Sequence, residues 1–408
     1  MEKKLRRRKE VRYRHYFFAW FNRLVVANII RLKYRFKGEV IHKNKKTPQL
    51  VLCNHESELD PFLVYYVYKA PLYIVANEQI VTNPKYGFLL KMFMNPLPIK
   101  KGTLDINVIR RMKDVIKEGG SIALFPEGNS SYDSQLSFNL HNPGKLAKLL
   151  GIELVIYNLK GGYFNNPRWS QYRKKGLTRG KIRLKLSPQQ IEVIPLDELE
   201  QLIKENLTVD PYENNLGPYK GKMLAVGLER LIFFCPKCHH HHVLATEDNK
   251  IFCNNCDFEG MYDEYGYVQI AEQKYKLHEL ARPMIDEYEK YVLNHLDETF
   301  YEDVEVKISW GLKRRKIYYG CVFSLNSEGI TIIGKKFDFK IPFEDLRGYG
   351  CQQKRKLVFY CYSLPTIIIR LKSNASIYQY FITLRIFEEL KKKGVNNYVY
   401  LTHRNLGF

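Results

Sequence analysis

A chain of 408 residues is too long for one ordinary core and is expected to fold as two or three domains. Its apolar share of 45% excludes a disordered polyelectrolyte, and its formal charge of +22 directs it toward polyanions, either nucleic acid or anionic lipid headgroups. No run of 18 or more apolar residues is uninterrupted, so no ordinary membrane-spanning helix is expected.

Residues 1–40 read as one or two membrane-associating helices. Met1 to Pro48 carry 16 Lys and Arg against 3 acidic residues. From Arg12 to Val26, Arg12, His15, Asn22 and Arg23 fall on one arc at helical spacing. Tyr13, Phe17, Trp20, Phe21 and Leu24 share the remaining face. A basic helix with a wide aromatic face suits the headgroup boundary of an anionic membrane. The competing reading is a helix packed on its own domain with its basic ends in water. The segment also resembles a signal peptide, but Arg23 interrupts the apolar run and no small-residue cleavage site follows, so export is not expected.

Residues 41–210 alternate strand and helix patterns. Leu50 to Cys53, Pro71 to Ala76, Ser121 to Phe125 and Leu154 to Leu159 read as buried strands. Pro61 to Tyr68 and Asp105 to Lys117 read as helices, the second stopped by Gly119 and Gly120. This is the grammar of an α/β domain with a sheet flanked by helices.

The segment Asn54-His55-Glu56-Ser57-Glu58-Leu59-Asp60 leaves the first of these strands and enters a helix. Open α/β sheets place ligands at the C-terminal edge of their strands. An imidazole there, with an ordinary pKa of ~6.5, suits proton acceptance near neutral pH, and a carboxylate on its other nitrogen would fix its tautomer. On spacing alone, a His and Asp that cap a helix at the surface are the commoner reading. Leu124-Phe125-Pro126-Glu127-Gly128-Asn129-Ser130-Ser131, after a second buried strand, changes that balance.

Together the two segments resemble the His-x4-Asp and Phe-Pro-Glu-Gly boxes of the lysophosphatidic acid and glycerolipid acyltransferases, over about residues 45–186. The resemblance implies a mixed sheet flanked by helices, with His55 as general base and Asp60 as its orienter. It implies that Glu127 and Gly128 line the acceptor side, with Asn129, Ser130 and Lys101 near the substrate. It also implies an acyl thioester on coenzyme A or acyl carrier protein as donor, and a lysophospholipid or glycerol-phosphate-type acceptor. Members that use glycerol phosphate commonly carry Arg at the positions of Lys101 and Ser130. Lys meets phosphate as a point charge without a bidentate fork, and Ser brings no charge. Arg168, Arg173, Lys174 and Lys175 lie near in sequence and read more simply as a solvated basic loop.

Residues 211–272 read as a linker, rich in Asn, Gly, Pro and Tyr from Pro211 to Lys222, followed by a zinc ribbon. Cys235-x2-Cys238 and Cys253-x2-Cys256, separated by fourteen residues, have the spacing of a closed four-thiolate structural zinc site; a redox dithiol is the alternative. Cys53, Cys321, Cys351 and Cys361 are scattered in apolar runs and read as reduced core residues, which places the chain in a reducing compartment. A connecting helix is expected over 273–300. Residues 301–408 show strand patterns and a final helix over Ile377 to Lys393, which resembles pleckstrin-homology-like and GRAM-like domains in topology alone.

The combined expectation is an acyltransferase on the cytoplasmic face of a membrane, peripheral, with membrane lipids as partners and acyl carrier protein as a further one. A basic zinc-ribbon protein that binds nucleic acid is the rival, and nucleic acid is not the expected partner because the ribbon holds only Lys237 and Lys250 against Glu247 and Asp248. A catalytically inactive lipid-binding scaffold is the third reading, and the intact His55, Asp60 and Glu127 argue against it.

Overall fold

The structure is a computed structural model that describes residues 9–43, 47–83, 85, 87–99, 106–135, 142–310, 314–372, 375–394 and 398–401. Helices α1 (Tyr13–Leu24) and α2 (Val26–Lys33) lead into β1 (Phe36–Gly38) and β2 (Gln49–Cys53). There follow α3 (Asp60–Val67), β3 (Leu72–Asn77), α4 (Glu78–Val81), α5 (Gly87–Phe93), β4 (Leu97–Ile99), α6 (Ile106–Lys117) and β5 (Ser121–Leu124). Next come α7 (Pro143–Leu150), β6 (Glu153–Lys160), α8 (Gly162–Asn165), β7 (Thr178–Leu186), α9 (Pro188–Val193) and α10 (Leu196–Leu207).

Their strands form one mixed sheet in the order β1-β7-β6-β2-β5-β3-β4. Strand β2 lies parallel between β5 and β6, and only the β6–β7 pair is antiparallel. All five β2 residues are buried. Leu50 and Leu52 face a core completed by α6, α7 and α10, while Val51 and Cys53 face one completed by α3. A strand covered on both faces reads as an unbroken apolar run, as β2 does.

Strand β7 carries the alternating sequence Thr-Arg-Gly-Lys-Ile-Arg-Leu-Lys-Leu. Its charges hide it from an apolar-run search, yet β6 supplies its ladder and Lys181, Arg183 and Lys185 are exposed.

A five-stranded antiparallel sheet follows, with β8 (Leu244–Glu247), β9 (Lys250–Cys253), β10 (Glu259–Tyr262), β11 (Tyr267–Ile270) and β12 (Gln273–Lys276) in sequential order. Helix α11 (Leu277–Asn294) leads to a second seven-stranded sheet. Its strands are β13 (Phe300–Trp310), β14 (Arg314–Asn326), β15 (Gly329–Gly334), β16 (Phe337–Pro342), β17 (Leu346–Gln352), β18 (Lys356–Cys361) and β19 (Thr366–Leu371). It is antiparallel throughout, in the order β16-β15-β14-β13-β19-β18-β17, and α12 (Ile377–Lys393) packs across it. Strand β17 was not legible in sequence, because Gly348 and Gly350 and an irregularity in its register dilute the pattern.

One continuous core joins these parts. It runs from Tyr163, Phe164 and Trp169 through Leu228 and Phe234 to α11, the last sheet and α12. The segment expected to be a linker is anchored by its tyrosines. Tyr212 and Tyr219 are buried against Phe164, and the Tyr212 hydroxyl donates to Gly266 O at 2.9 Å and accepts from Leu277 N–H at 2.9 Å.

Candidate active site

Strand β2 ends at Cys53, and the next residue clamps the strand end. The Asn54 side chain accepts from Leu159 N–H at 2.7 Å and donates to Leu159 O at 2.9 Å, both on β6. His55 therefore leaves the sheet from a fixed point. Its Nδ1 lies 3.0 Å from Asp60 Oδ2 at the start of α3. The same carboxylate oxygen accepts from Glu56 N–H at 2.6 Å and Ser57 N–H at 2.7 Å, and Oδ1 accepts from the Ser57 hydroxyl at 2.7 Å. Ringed by donors and fully buried, the carboxyl is placed to accept from His55 Nδ1–H, an arrangement that in a neutral imidazole leaves the lone pair on Nε2. The imidazole is 17% exposed and packs on Phe125, with ring centroids 4.7 Å apart. It is reachable and held.

The second box closes over the first. Glu127 is buried, and its Oε1 accepts from His55 N–H at 2.8 Å. Ser131 N–H donates to His55 O at 2.9 Å, so the backbone of residue 55 is gripped on both sides by the loop after β5. Gly128 takes a φ of 65°, where a glycine turns without strain, and its N–H donates to Phe125 O. The Gly128 and Ser131 amides are thus spent on holding the loop. Ser130 is buried, and its carbonyl accepts from Arg168 Nη1 at 3.3 Å; the same nitrogen donates to Asn129 Oδ1 at 3.2 Å. Arg168 is itself buried with its guanidinium 4.5 Å from the Tyr132 ring centroid, so it is a brace for the loop and not part of a solvated one. Lys174, from the same basic run, is also buried, between the rings of Trp169 and Tyr262. Lys101 lies outside the described residues.

Three residues here were not singled out from sequence as site residues. Ser57 braces Asp60, and the Ser57-x2-Asp60 spacing of a helix start was its signal. Asn54 clamps the strand, with no signal short of the fold. Glu56 points away from solvent and accepts from Gly162 N–H at 2.7 Å and Tyr163 N–H at 3.2 Å. Burial, and then the charge of Asp60, push its carboxyl up to about 8, against the pull of those two amides.

Glu127, Gly128 and Asn129 also form one wall of a cleft of about 610 Å³. Its opposite wall comes from β17, α12 and the turn before β17.

The four cysteines of the two Cys-x2-Cys pairs converge, with all sulfurs within 4.8 Å of one another. Cys235 Sγ lies 3.7 Å from Cys256 Sγ, and Cys238 Sγ lies 3.8 Å from Cys253 Sγ. Zinc–sulfur bonds of ~2.3 Å in a tetrahedron set the sulfurs ~3.8 Å apart, so the donor set fits zinc. The N–H of Asn255 donates to Cys253 Sγ at 3.3 Å, as a metal-binding knuckle requires.

Helix α1 is turned with its polar arc inward. His15 Nδ1 lies 2.6 Å from the Tyr73 hydroxyl, and Asn22 Nδ2 donates to Phe93 O at 3.3 Å. Tyr13, Phe17, Trp20 and Leu24 are exposed, Tyr13 to 96%. Phe21 is half-buried and stacks on Phe93, with centroids 5.6 Å apart. Ile29 and Leu32 on α2 and Phe88 and Leu89 on α5 are exposed as well. No described helix is long and apolar enough to cross a membrane.

Residues 33–157 match the family described as Acyltransferase. The 1-acyl-sn-glycerol-3-phosphate acyltransferase of Borreliella burgdorferi is 26% identical over 172 residues, which is 40% of this chain and 63% of that protein. The chloroplastic 1-acyl-sn-glycerol-3-phosphate acyltransferase LPAT1 of Arabidopsis thaliana is 26% identical over 153 residues, 36% of this chain and 42% of that one. The chain thus spans less than two thirds of the length of these relatives. The solved structure of the 1-acyl-sn-glycerophosphate (LPA) acyltransferase PlsC from Thermotoga maritima is 18% identical, with a TM-score of 0.35, covering 47% of this chain and 85% of that one.

Proposed function

We propose that this chain is a membrane-surface O-acyltransferase of phospholipid biosynthesis or remodelling. It moves a fatty acyl group from a thioester, on coenzyme A or acyl carrier protein, to a hydroxyl of a lysophospholipid or glycerol-phosphate-type acceptor. The observation that carries this reading is the contact of 3.0 Å between His55 Nδ1 and the buried Asp60 carboxylate, beside Glu127 at the C-terminal edge of a parallel strand.

His55 Nε2 takes the proton of the acceptor hydroxyl as its oxygen attacks the thioester carbonyl. A carbon–oxygen bond forms, the carbon–sulfur bond breaks, and the imidazolium returns its proton to the departing sulfur. Asp60 stabilises the transient imidazolium, and general-base assistance of this kind is worth roughly 10²–10⁴-fold. Glu127 acts through the backbone of His55, and its hydrogen bond keeps the ring on the line of attack.

Cys235, Cys238, Cys253 and Cys256 hold one structural zinc ion, which crosslinks the segment before β8 to the end of β9. The exposed aromatic face of α1, joined by α2 and α5, rests in the interface of the cytoplasmic leaflet, where basic residues beside it meet anionic lipids at roughly 1 kcal/mol each. The test is incubation of the purified chain and its His55→Ala variant with labelled acyl thioesters and a panel of lysolipids, read by lipid mass spectrometry. The wild type should form diacyl product and the variant should not; equal turnover by the two would overturn the mechanism.

A further inference from the structure

The cleft beside Glu127 has an unusual second wall. Arg347 on β17 and Arg385 on α12 both line it, opposite Glu127, Gly128 and Asn129. The other charges are largely matched. Lys391 Nζ lies 3.3 Å from Glu344, Lys392 Nζ lies 2.7 Å from Glu388, and Glu388 also accepts from the Tyr349 hydroxyl. Glu127 is occupied with His55 N–H. Among the described residues, neither the Arg347 nor the Arg385 guanidinium makes a side-chain hydrogen bond or an ion pair, although Arg385 lies near the Tyr349 hydroxyl. Set against the Glu127 carboxyl, the two guanidinium groups leave a surplus of one positive charge in a cleft that also carries the apolar Phe343, Leu346 and Phe381.

The loop across from them lacks a cation of its own. Ser130 is neutral, and Arg168, whose guanidinium reaches the loop, is buried and committed to Asn129 and Ser130. The wall bearing the arginines is fixed against this loop. Tyr378 of α12 stacks on Tyr132, with centroids 4.1 Å apart and rings 13° from parallel. Arg282 on α11 binds Asp133 at 2.7 Å, and the Tyr360 hydroxyl donates to Asn77 at 3.4 Å.

We propose that Arg347 and Arg385 bind the phosphate of the acceptor lipid, so that the C-terminal sheet and its helix complete the acceptor site of the α/β domain. The choice of ligand rests on the acyltransferase reading above. A guanidinium meets two phosphate oxygens with two parallel N–H donors, which a lysine cannot do. His55 does not line the cleft, but its amide is 2.8 Å from Glu127, which does. Glu127 thus links the wall of the cleft to the backbone of His55. The positive charge that the Phe-Pro-Glu-Gly loop lacks is thus delivered from a part of the chain more than two hundred residues away.

The test is equilibrium binding, which needs no turnover. Oleoyl lysophosphatidic acid and monooleoylglycerol, which lacks the phosphate, are titrated into the full chain without an acyl donor. The Arg347→Gln/Arg385→Gln double variant should bind lysophosphatidic acid at least tenfold more weakly, about 1.4 kcal/mol, with monooleoylglycerol affinity unchanged. Unchanged lysophosphatidic acid affinity in a double variant of wild-type melting temperature overturns the proposal. So does a loss seen only when free coenzyme A is titrated as a third ligand in a separate series, which would assign the arginines to the donor. Where the double variant fails to fold, the two single Gln variants decide by the same comparison. A wild-type chain that binds lysophosphatidic acid through these arginines yet transfers no acyl group would overturn the enzymatic reading and leave this site standing.

Discussion

Replacing Asp60 by Asn separates chemistry from folding more cleanly than removing the imidazole. The carboxylate is fully buried and accepts four hydrogen bonds, from Glu56 N–H, Ser57 N–H, the Ser57 hydroxyl and His55 Nδ1–H. An amide preserves the shape, keeps one acceptor oxygen for the Oδ2 cluster, and can turn its NH2 to the Ser57 oxygen. What disappears is charge. Hydrogen bonds to a charged group contribute about 1.5–3 kcal/mol and neutral ones about 0.5–1.5, so each bond loses about 1 kcal/mol. Four such losses set a ceiling of about 4 kcal/mol, and coupling within one cluster brings the expected destabilisation to about 2 kcal/mol. Relief of Glu56, whose carboxyl feels the Asp60 charge, works in the same direction. The variant should therefore fold. Its kcat should fall by roughly 10²–10⁴, or about 3–5 kcal/mol of barrier, because nothing then stabilises the imidazolium. KM for the acyl thioester should be unchanged. Thiol release at saturating donor measures kcat, and urea unfolding measures stability. A folded variant with kcat within threefold of wild type would refute the assigned partnership of the two residues.

Glu56 makes a pH prediction. Burial pushes its carboxyl up to about 8 in the folded chain, well above the ordinary carboxylate range, so the native state holds a proton that the unfolded chain releases. Its stabilising contribution is complete below the unfolded pKa, declines as pH rises and is lost through about 8. Melting temperatures measured from acid to alkaline pH should show this decline in the wild type and a flatter profile in Glu56→Gln; parallel profiles would remove the argument. Metal analysis should find one zinc per chain, absent after Cys235→Ser with Cys253→Ser, and the loss should lower the melting temperature of the whole molecule because β8 and β9 pack on the shared core. A chain equally stable without metal would speak against the site. Phe17→Ser, Trp20→Ser and Phe88→Ser together should weaken co-sedimentation with anionic liposomes at least about tenfold, since each buried aromatic is worth on the order of 1–3 kcal/mol. Retained binding would show that these exposed rings do not enter the lipid.

The strands β2, β3, β5 and β6 and the helices α3 and α6 were legible to within a residue or two, because each has a local periodicity or a run of apolar side chains with a clear stop. The charged β7 and the glycine-diluted β17 were not, because a ladder supplied by a neighbouring strand outweighs weak local preference. Helix α1 shows a different limit. Its sequence separates polar and aromatic arcs, but nothing local says which arc faces the protein. Tyr73 and Phe93 decide that by offering partners to His15 and Asn22.

Residues 54 to 60 by themselves determined a histidine at a strand end with an aspartate at the start of the next helix, and the cysteine spacing determined two knuckles. These features span few residues, so backbone geometry alone brings their side chains into reach. Only the tertiary structure decided that Glu127 holds the amide of His55, that Arg168 folds into the loop as a brace, and that Arg347 and Arg385 look across a cleft at Asn129. Those meetings join positions far apart in the chain, and packing of the shared core, not any local preference, brings them together.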